Sequence, residues 1–277
     1  MKKIQNLMDG VGKLQEREVK RVMDILETAR KEIVSRVAAT EWDAYKLPQM
    51  TDAVEDAVTT FQKRYKVNQT EALSNMYKAG VDMVDWPLAE VGLKFATPEL
   101  SATALEVLQG FSADLIQGLG KDAIKKINAE LTLGLLGDKP MFQVIQAIGR
   151  NIDDKGVFST IASRAETITR TEMARVNSTA REARIKKTVE ASPGEKWMKR
   201  WISSGKAHAR ANHAALDGRE VPIDDNFPGG IPYPHSPGLR ASESINCGCT
   251  HILVLQDWNQ APGTGERQPY QPRAVWN

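Results

Sequence analysis

Two cysteines are the residues of this chain best suited to chemistry. Cys247 and Cys249 stand one residue apart in the stretch INCGCTH, and no other cysteine occurs. Such a pair can be a metal clip, a redox couple, a catalytic thiol or two buried thiols. A disulfide between residues two apart is strained. On a regular strand the two side chains point to opposite faces, but Gly248 permits a turn or bulge that relaxes this geometry.

Histidines extend the pair into a candidate metal site. Thiolate and imidazole ligands suit zinc, and His213 in HARANHAALDG is the leading partner of the two cysteines. His235, His208 and His251 are further candidates. A structural metal supplies stability that a small, loop-rich module does not obtain from its core. Spacing alone leaves a zinc site and a pair of buried structural cysteines both open, with redox or catalytic roles less favoured.

A metal-dependent nuclease is the main enzymatic alternative. It would build its ion site from His208, His213, Asp217 and the cysteines. A catalytic metal keeps an open coordination position and has an acid or base nearby. The sequence contains no GxxxxGKS/T, GxGxxG, HExxH or GxSxG motif, so the most direct support for an enzyme is missing. Asp217 and Gly218 are more typical of a tight turn between two short strands.

Positive charge is concentrated in the middle of the chain. From Arg164 to Arg210, twelve basic residues stand against five acidic ones, a local charge of +7 in a chain of net charge +2. Arginines eleven residues apart lie on nearly one line of a helix, because eleven residues make about three turns. The pattern indicates either a solvated face with ion pairs or a contact with an acidic protein surface or nucleic-acid phosphates. The predicted nucleic-acid contacts are Arg164, Arg170, Arg175, Arg181, Arg184, Lys186 and Lys187.

The elements that must position these residues are mainly helical. Apolar residues from Val19 to Val37 recur at the spacing of one helix face, and further helices are predicted after Pro48, over 70–84, over 140–152 and over 158–190. We therefore predict a mainly α fold: a long helical N-terminal region followed by a small α+β module with a few short strands and long loops.

The composition changes after residue 190. Nine of the thirteen prolines and all four histidines follow it. EKWMKRWIS and CTHILVLQ are typical of strands because they are short, rich in aromatic or β-branched residues and bounded by turns. The predicted organisation is a helical arm or bundle over 1–137, a module over 138–255 with basic helix 158–190 and α+β part 191–255, and an extended tail over 256–277.

Composition also indicates the compartment. Two cysteines cannot form a disulfide framework, and the stretch MKKIQNLMDGVGKLQEREVK lacks the apolar run of a signal peptide. Apolar stretches fall well short of the roughly 18 residues needed to cross a bilayer. We expect a soluble protein without a membrane anchor, made in a reducing cytoplasm.

Three motifs, taken in order, resemble one protein family. They are RAETITRTEMARVNSTAR at 164–181, RANHAALDGREVPIDDNF at 210–227 and SINCGC at 244–249. Their order and separations resemble the minor head, or head morphogenesis, proteins of tailed bacteriophages, typified by the F protein of phage Mu. The family usually has a basic residue between its two cysteines, where this chain has Gly248. The residues that match the family motifs are Arg170, Thr171, Glu172, His213, Asp217, Gly218, Cys247 and Cys249.

The resemblance implies a structural and assembly protein of the phage head rather than an enzyme. It implies partners in the portal protein and other capsid proteins, several copies per virion, assembly in the host cytoplasm, and non-specific contact of the basic helix with packaged or ejected DNA. Within this module, we expect the cysteine pair to close a metal clip around one structural zinc. The predicted ligands are His213, Cys247, Cys249 and His235.

Overall fold

A computed structural model gives the protein's fold, and it describes residues 2–40, 42, 44–90, 92–93, 102–203 and 209–256. Within these ranges, most residues up to 190 lie in long helices, and three short strands with long loops follow. The predicted fold class is therefore confirmed. Beyond Gln256, the predicted extended tail lies outside the described residues.

The helices and strands follow one another in a simple order. The helices are α1 (Lys2–Ala39), α2 (Leu47–Glu90), α3 (Ala102–Leu135), α4 (Met141–Ile148), α5 (Val157–Glu190), α6 (Ala211–Ala214) and α7 (Ala241–Ser244), with a 3-10 turn at Ala44–Lys46. The strands are β1 (Trp197–Ile202), β2 (Glu220–Pro222) and β3 (Thr250–Leu255). The separate helices predicted after Pro48 and over 70–84 form one helix, because no glycine or proline interrupts the chain between them.

The chain forms two compact units. The helical unit comprises Lys13–Ala72 and Glu106–Arg170, and the sheet unit comprises Met1–Gly12, Leu73–Leu105 and Thr171–Asn277. Each predicted domain is one continuous stretch of the sequence, whereas each of these units combines separate stretches. The predicted domain boundaries stay predictions.

The helical unit is held by one apolar core. The predicted stripe on α1 faces this core, with Val22, Leu26 and Ile33 almost fully buried. Burying each such side chain stabilises the fold by about 1.5–3 kcal/mol. A polar contact fixes α5 in this unit, because the Tyr65 hydroxyl donates to the carbonyl oxygen of Ala165 over 2.9 Å. This hydrogen bond is buried, so removing the Tyr65 hydroxyl would leave the carbonyl oxygen of Ala165 without that donor and lower the free energy of unfolding.

The sheet unit contains a three-stranded antiparallel sheet in the order β2-β1-β3. Strand β1 is central, and five of its six residues are buried. The buried residues include the basic Lys199 and Arg200 as well as Trp197, Trp201 and Ile202. Both strand predictions are confirmed. Strand β3 begins immediately after Cys249, so the sheet fixes where the cysteine pair lies.

Within the sheet unit, α2 and α5 approach each other very closely at Gly80. The carbonyl oxygen of Asn177 faces this glycine, and the Asn177 side-chain amide donates to the carbonyl oxygen of Met76 over 3.1 Å. A β-carbon at Gly80 would lie 2.4 Å from the Asn177 carbonyl oxygen and 3.0 Å from the Ala180 β-carbon. The absence of a side chain at Gly80 is therefore what permits this contact.

We expect Gly80→Ala to lower the free energy of unfolding by about 1–3 kcal/mol, because the new methyl group meets backbone that cannot move aside. Gly110→Ala and Gly118→Ala are matched controls in α3, since nothing lies within 4 Å of either β-carbon position. Each control should raise stability by up to about 1 kcal/mol through helix propensity. Urea unfolding followed by circular dichroism measures all three, and a stabilising effect at Gly80 would contradict the close packing.

Candidate metal centre

His213, Cys247 and Cys249 meet in the sheet unit although 34 and 36 residues separate the histidine from the two cysteines. His213 lies on the short helix α6, and the cysteines lie between α7 and β3. All three side chains are buried. Sequence reasoning predicted this trio, and the structure brings it together.

The distances within the trio suit a tetrahedral metal ion. The Nδ1 atom of His213 is 3.4 Å from Cys247 Sγ and 3.7 Å from Cys249 Sγ. The three ligand atoms all lie within 4.8 Å of one another. Typical zinc–sulfur and zinc–nitrogen bonds at a tetrahedral angle place N and S about 3.6 Å apart. The trio can therefore accept zinc with little rearrangement.

A turn, not a strand, points both thiols to the same side. The cysteines precede β3, so the alternation of strand side chains does not apply to them. Asn246 takes the left-handed conformation of this turn, with φ of 55°. Gly248, predicted to permit a turn between the cysteines, lies outside any helix or strand and has no positive φ, so the left-handed residue of this segment is Asn246. The backbone N–H of Cys249 donates to Cys247 Sγ over 3.4 Å, which favours a thiolate there.

The far nitrogen of His213 is held by a carboxylate. Its Nε2 atom lies 2.7 Å from Glu243 Oε2, and the Asn212 amide donates to the same oxygen over 3.0 Å. Metal-binding histidines commonly pair their second nitrogen with a carboxylate, which fixes the tautomer and orients the ring. With Nε2 protonated toward Glu243, Nδ1 presents its lone pair toward the cysteines. Sequence reasoning missed Glu243, which carries no motif signal.

The electrostatics of the trio favour a thiolate at Cys247 beside a protonated His213, and a metal ion would take the place of that proton. Contact with Cys249, and then with His213 and His235, lowers the pKa of the Cys247 thiol, although burial acts in the opposite direction. Contact with Cys247, followed by that with Glu243, raises the pKa of His213 against the effect of burial. Thiolate is the form of cysteine that binds a metal.

An apolar wall shields the trio from water. Trp201 on the central strand meets the His213 ring edge to face, with centroids 5.3 Å apart, and meets Phe227 in the same way at 5.2 Å. Trp201, Phe227 and both cysteines belong to one buried cluster. Metal–ligand bonds are strengthened in such a dry surrounding, because water does not compete for the ion.

His235 stands beside this centre in an unusual state. Its side chain is 2% exposed, and neither ring nitrogen has a hydrogen-bond partner among the described residues. Its backbone is left-handed, with φ of 62°, which for a non-glycine residue costs on the order of 1 kcal/mol. His235 is therefore a buried histidine on a left-handed backbone. The remaining candidate, His208, lies outside the described residues.

His251 belongs to a different buried network. Its Nε2 atom lies 3.1 Å from a carboxylate oxygen of Glu182, and its ring lies 5.5 Å from that of Tyr233. Burial, more than any charge, lowers the pKa of His251 to about 4. His251 is therefore held as a neutral histidine at the base of β3 and is not part of the metal trio. Sequence reasoning did not foresee this pair, because the two residues lie 69 positions apart.

One arginine of the basic helix is buried inside the protein. Arg181 is buried, and it donates to the Thr250 hydroxyl, to the Asn177 side chain and, over 3.2 Å, to the carbonyl oxygen of His251. Burial lowers the pKa of Arg181 to about 9, so it stays charged at neutral pH. The predicted contact of Arg181 with nucleic acid is wrong, since its guanidinium has no access to a phosphate.

The other predicted arginines pair with carboxylates. Arg164 pairs with Asp122, Arg170 with Glu16 and Glu166, Arg175 with Glu172, and Arg184 with Asp85. These pairs match the salt-bridged interpretation of the helix. Lys186 is exposed and Lys187 is half-buried. For all six residues, the nucleic-acid role stays a prediction.

The remaining motif residues have structural partners. Asp217 accepts the backbone N–H of Ser203 over 2.7 Å, and Gly218 has φ of 74°. LDGREVP therefore forms a turn, but the turn leads from α6 into β2 and does not join two strands directly. Thr171 and Glu172 are buried on α5. Burial raises the pKa of Glu172, and Arg175 partly offsets this. These residues shape the module and do not line the metal trio.

Fold and site together define a mainly helical protein that carries a small sheet module built around a candidate two-cysteine, one-histidine metal centre. Residues 125–252 match the family model for phage Mu protein F like proteins. This segment contains the whole trio. Over this segment the chain is similar to that family, which confirms the resemblance predicted from its motifs.

Part of the chain is also similar to an enzyme. An NAD(+)--arginine ADP-ribosyltransferase EFV of Enterococcus faecalis (strain ATCC 700802 / V583) is 35% identical over 92 residues, which is 32% of this chain and 18% of that protein. The chain thus spans about a fifth of that relative's length. No solved structure matches the chain. Among the described residues, no helix is long and apolar enough to cross a membrane.

We expect Arg181→Ala to lower the free energy of unfolding by about 2–4 kcal/mol, because it leaves a cavity and three buried acceptors without their donor. Lys187→Ala, on the same helix and partly exposed, is the control and should change stability by less than about 0.5 kcal/mol. Urea unfolding measures both. If the two variants had equal stability, the buried hydrogen bonds of Arg181 would not stabilise the fold.

Proposed function

We propose that this protein is a structural and assembly component of a tailed-phage head, associated with the portal and the interior of the capsid. The match of residues 125–252 to the phage Mu protein F like family carries the proposal. The architecture supports it, because long helices offer extended faces for packing along other helical proteins.

Exposed apolar side chains in the helical unit are the surface we assign to capsid or portal contact. Leu136 is 70% exposed, Met141 44% and Phe142 58%, and the three lie close together in the sequence at the turn between α3 and α4. Large apolar side chains grouped at the surface commonly mark protein–protein contacts. In an assembled head, this turn would be covered by a neighbouring subunit.

We expect the purified protein to co-elute with the portal protein of the same phage in size-exclusion chromatography at micromolar concentration. Replacing Leu136 and Phe142 by serine should abolish or sharply weaken the complex, because burial of their apolar area drives it. Val107→Ser, at an equally exposed apolar position on α3, is the matched control and should leave binding intact. Failure of the unmodified protein to bind either portal or procapsids would contradict the assembly role.

We also propose that one structural zinc ion is held by His213, Cys247 and Cys249. The distances of 3.4 and 3.7 Å, the burial of the trio and the carboxylate on His213 support this choice of metal. The zinc would join α6 to the segment before β3. A module with long loops gains from such a cross-link, because the binding free energy adds to its folding free energy.

DNA contact, in this proposal, is confined to the end of the basic helix. Lys186 is exposed on α5 and Lys187 is partly exposed, whereas the arginines before them are paired with carboxylates or buried. A short basic patch binds phosphates without reading sequence. The contact would therefore be weak and auxiliary to assembly.

We expect replacement of both Lys186 and Lys187 by alanine to weaken binding to duplexes of any sequence. The slope of log K against log salt should become shallower by about 1–2, because each lost phosphate contact contributes about 0.9. Replacing Lys125 and Lys126, an adjacent exposed pair on α3, is the control for general charge loss. Gel shifts across a salt series measure this effect, and strong preference for one site would argue for a different mode of binding.

A further inference from the structure

We propose that a cavity in the sheet unit is a docking site for an acidic peptide segment of a partner protein, with Arg219 and Arg240 binding its carboxylates. The cavity measures about 860 Å³. This volume lies in the range of roughly 300–1,000 Å³ that is typical of ligand pockets, so the cavity admits a few side chains. The choice of a protein as partner rests on the proposed assembly role, whereas the cavity and its charge do not depend on that role.

The buried part of the cavity wall is apolar. Leu216 and Ile231 are buried there, and Leu239 packs against the same buried cluster. Ala215 and Pro228 continue this apolar lining and are exposed. Binding of an apolar side chain against this wall is favourable, because apolar surface of both partners is then removed from water.

Two exposed arginines line the same cavity. Arg219 precedes β2 and Arg240 precedes α7. Hydrogen bonds fix the backbone at both positions, because the Arg219 carbonyl oxygen accepts the N–H of Trp201 and the Arg240 carbonyl oxygen accepts the N–H of Glu243, each over 2.9 Å. Neither guanidinium has a hydrogen bond or an ion pair within the part of the chain that the structure describes. Both are therefore positioned to donate to a ligand.

The acidic residue of the wall is already engaged. A carboxylate oxygen of Glu243 lies 2.7 Å from His213 Nε2 and accepts the amide of Asn212 over 3.0 Å. These contacts fix one side of the cavity before a ligand binds, which lowers the cost of ordering on binding. The two guanidinium groups are then the charged groups that the described lining offers to a ligand. Guanidinium binds carboxylate with two parallel hydrogen bonds, so an acidic ligand is favoured.

The composition of the wall favours a peptide over a nucleic acid. Single-stranded nucleic acids are held by bases that stack on aromatic rings and by a basic groove that follows the backbone. No aromatic side chain is among the described residues that line this cavity. An apolar wall between two arginines instead suits an apolar side chain that has carboxylates beside it. That is the composition of an acidic peptide segment, and arginine is enriched at protein–protein contacts.

The test selects short peptides on the purified full chain. We expect a display library of random peptides to become enriched in sequences that have aspartate or glutamate next to an apolar residue. The enriched peptide, labelled with fluorescein, then gives a Kd by fluorescence anisotropy. Replacing its acidic residues by the matching amides should weaken binding by about 10–100-fold, because hydrogen bonds between charged partners are the stronger ones.

Charge reversal tests the two arginines directly. The double variant Arg219→Glu and Arg240→Glu should bind the acidic peptide about 100-fold or more weakly, and it should bind a peptide with lysine at the acidic positions, because both partners have exchanged their charges. The double variant Arg64→Glu and Arg150→Glu changes two exposed arginines of the helical unit and is the matched control. It should leave the affinity for the acidic peptide unchanged. All four side chains are exposed, so both variants should keep the fold, which circular dichroism checks.

The outcomes separate this inference from the proposed function. If selection shows no acidic preference, or if the charge-reversed cavity binds the acidic peptide as tightly as before, the inference fails even where the protein binds portal or procapsids. If a short single-stranded oligonucleotide displaces the peptide at a lower concentration than unlabelled peptide does, the ligand is a nucleic acid and the inference fails as well. If the peptide binds and the charge exchange succeeds, but neither portal nor procapsids are bound, the cavity assignment stands and the assembly role fails.

Discussion

The convergence of two thiols on one imidazole is the constraint around which the C-terminal module is arranged. His213 and the cysteines come from segments with little regular structure, and the small sheet alone buries a limited core. Thiols and imidazole brought this close in an apolar pocket are costly unless a proton or a metal joins them. The turn at Asn246, the Trp201 wall and the Glu243 carboxylate all serve this one geometry.

The second constraint is that the positive charges of α5 must be neutralised. A helix rich in arginine would ordinarily be interpreted as a surface for phosphates, yet carboxylates from other helices neutralise most of it. The Arg181 side chain is buried, and its guanidinium donates hydrogen bonds to the first residues of β3. A buried, hydrogen-bonded arginine contributes more to fixing one arrangement of elements than to stability itself. The strand that follows the cysteines is thereby held in register against α5.

These two constraints assign different tasks to the parts of the protein. The sheet unit is organised from within, by a candidate metal cross-link and a buried polar network. The helical unit is a plain apolar core with exposed apolar side chains at the turn between α3 and α4. The segment similar to the phage Mu protein F like family, residues 125–252, includes parts of both units.

The sequence by itself determined the helical stripes, the two longer strands, the turn at Asp217 and the residues of the metal trio, because each is encoded locally or by residue type. Tertiary structure alone decided which basic side chains face inward and which histidine pairs with a buried carboxylate. Arg181 and Thr250 lie 69 residues apart, and His251 pairs with Glu182 over the same separation. Local periodicity carries no information about such pairings, since they exist only after distant segments have packed.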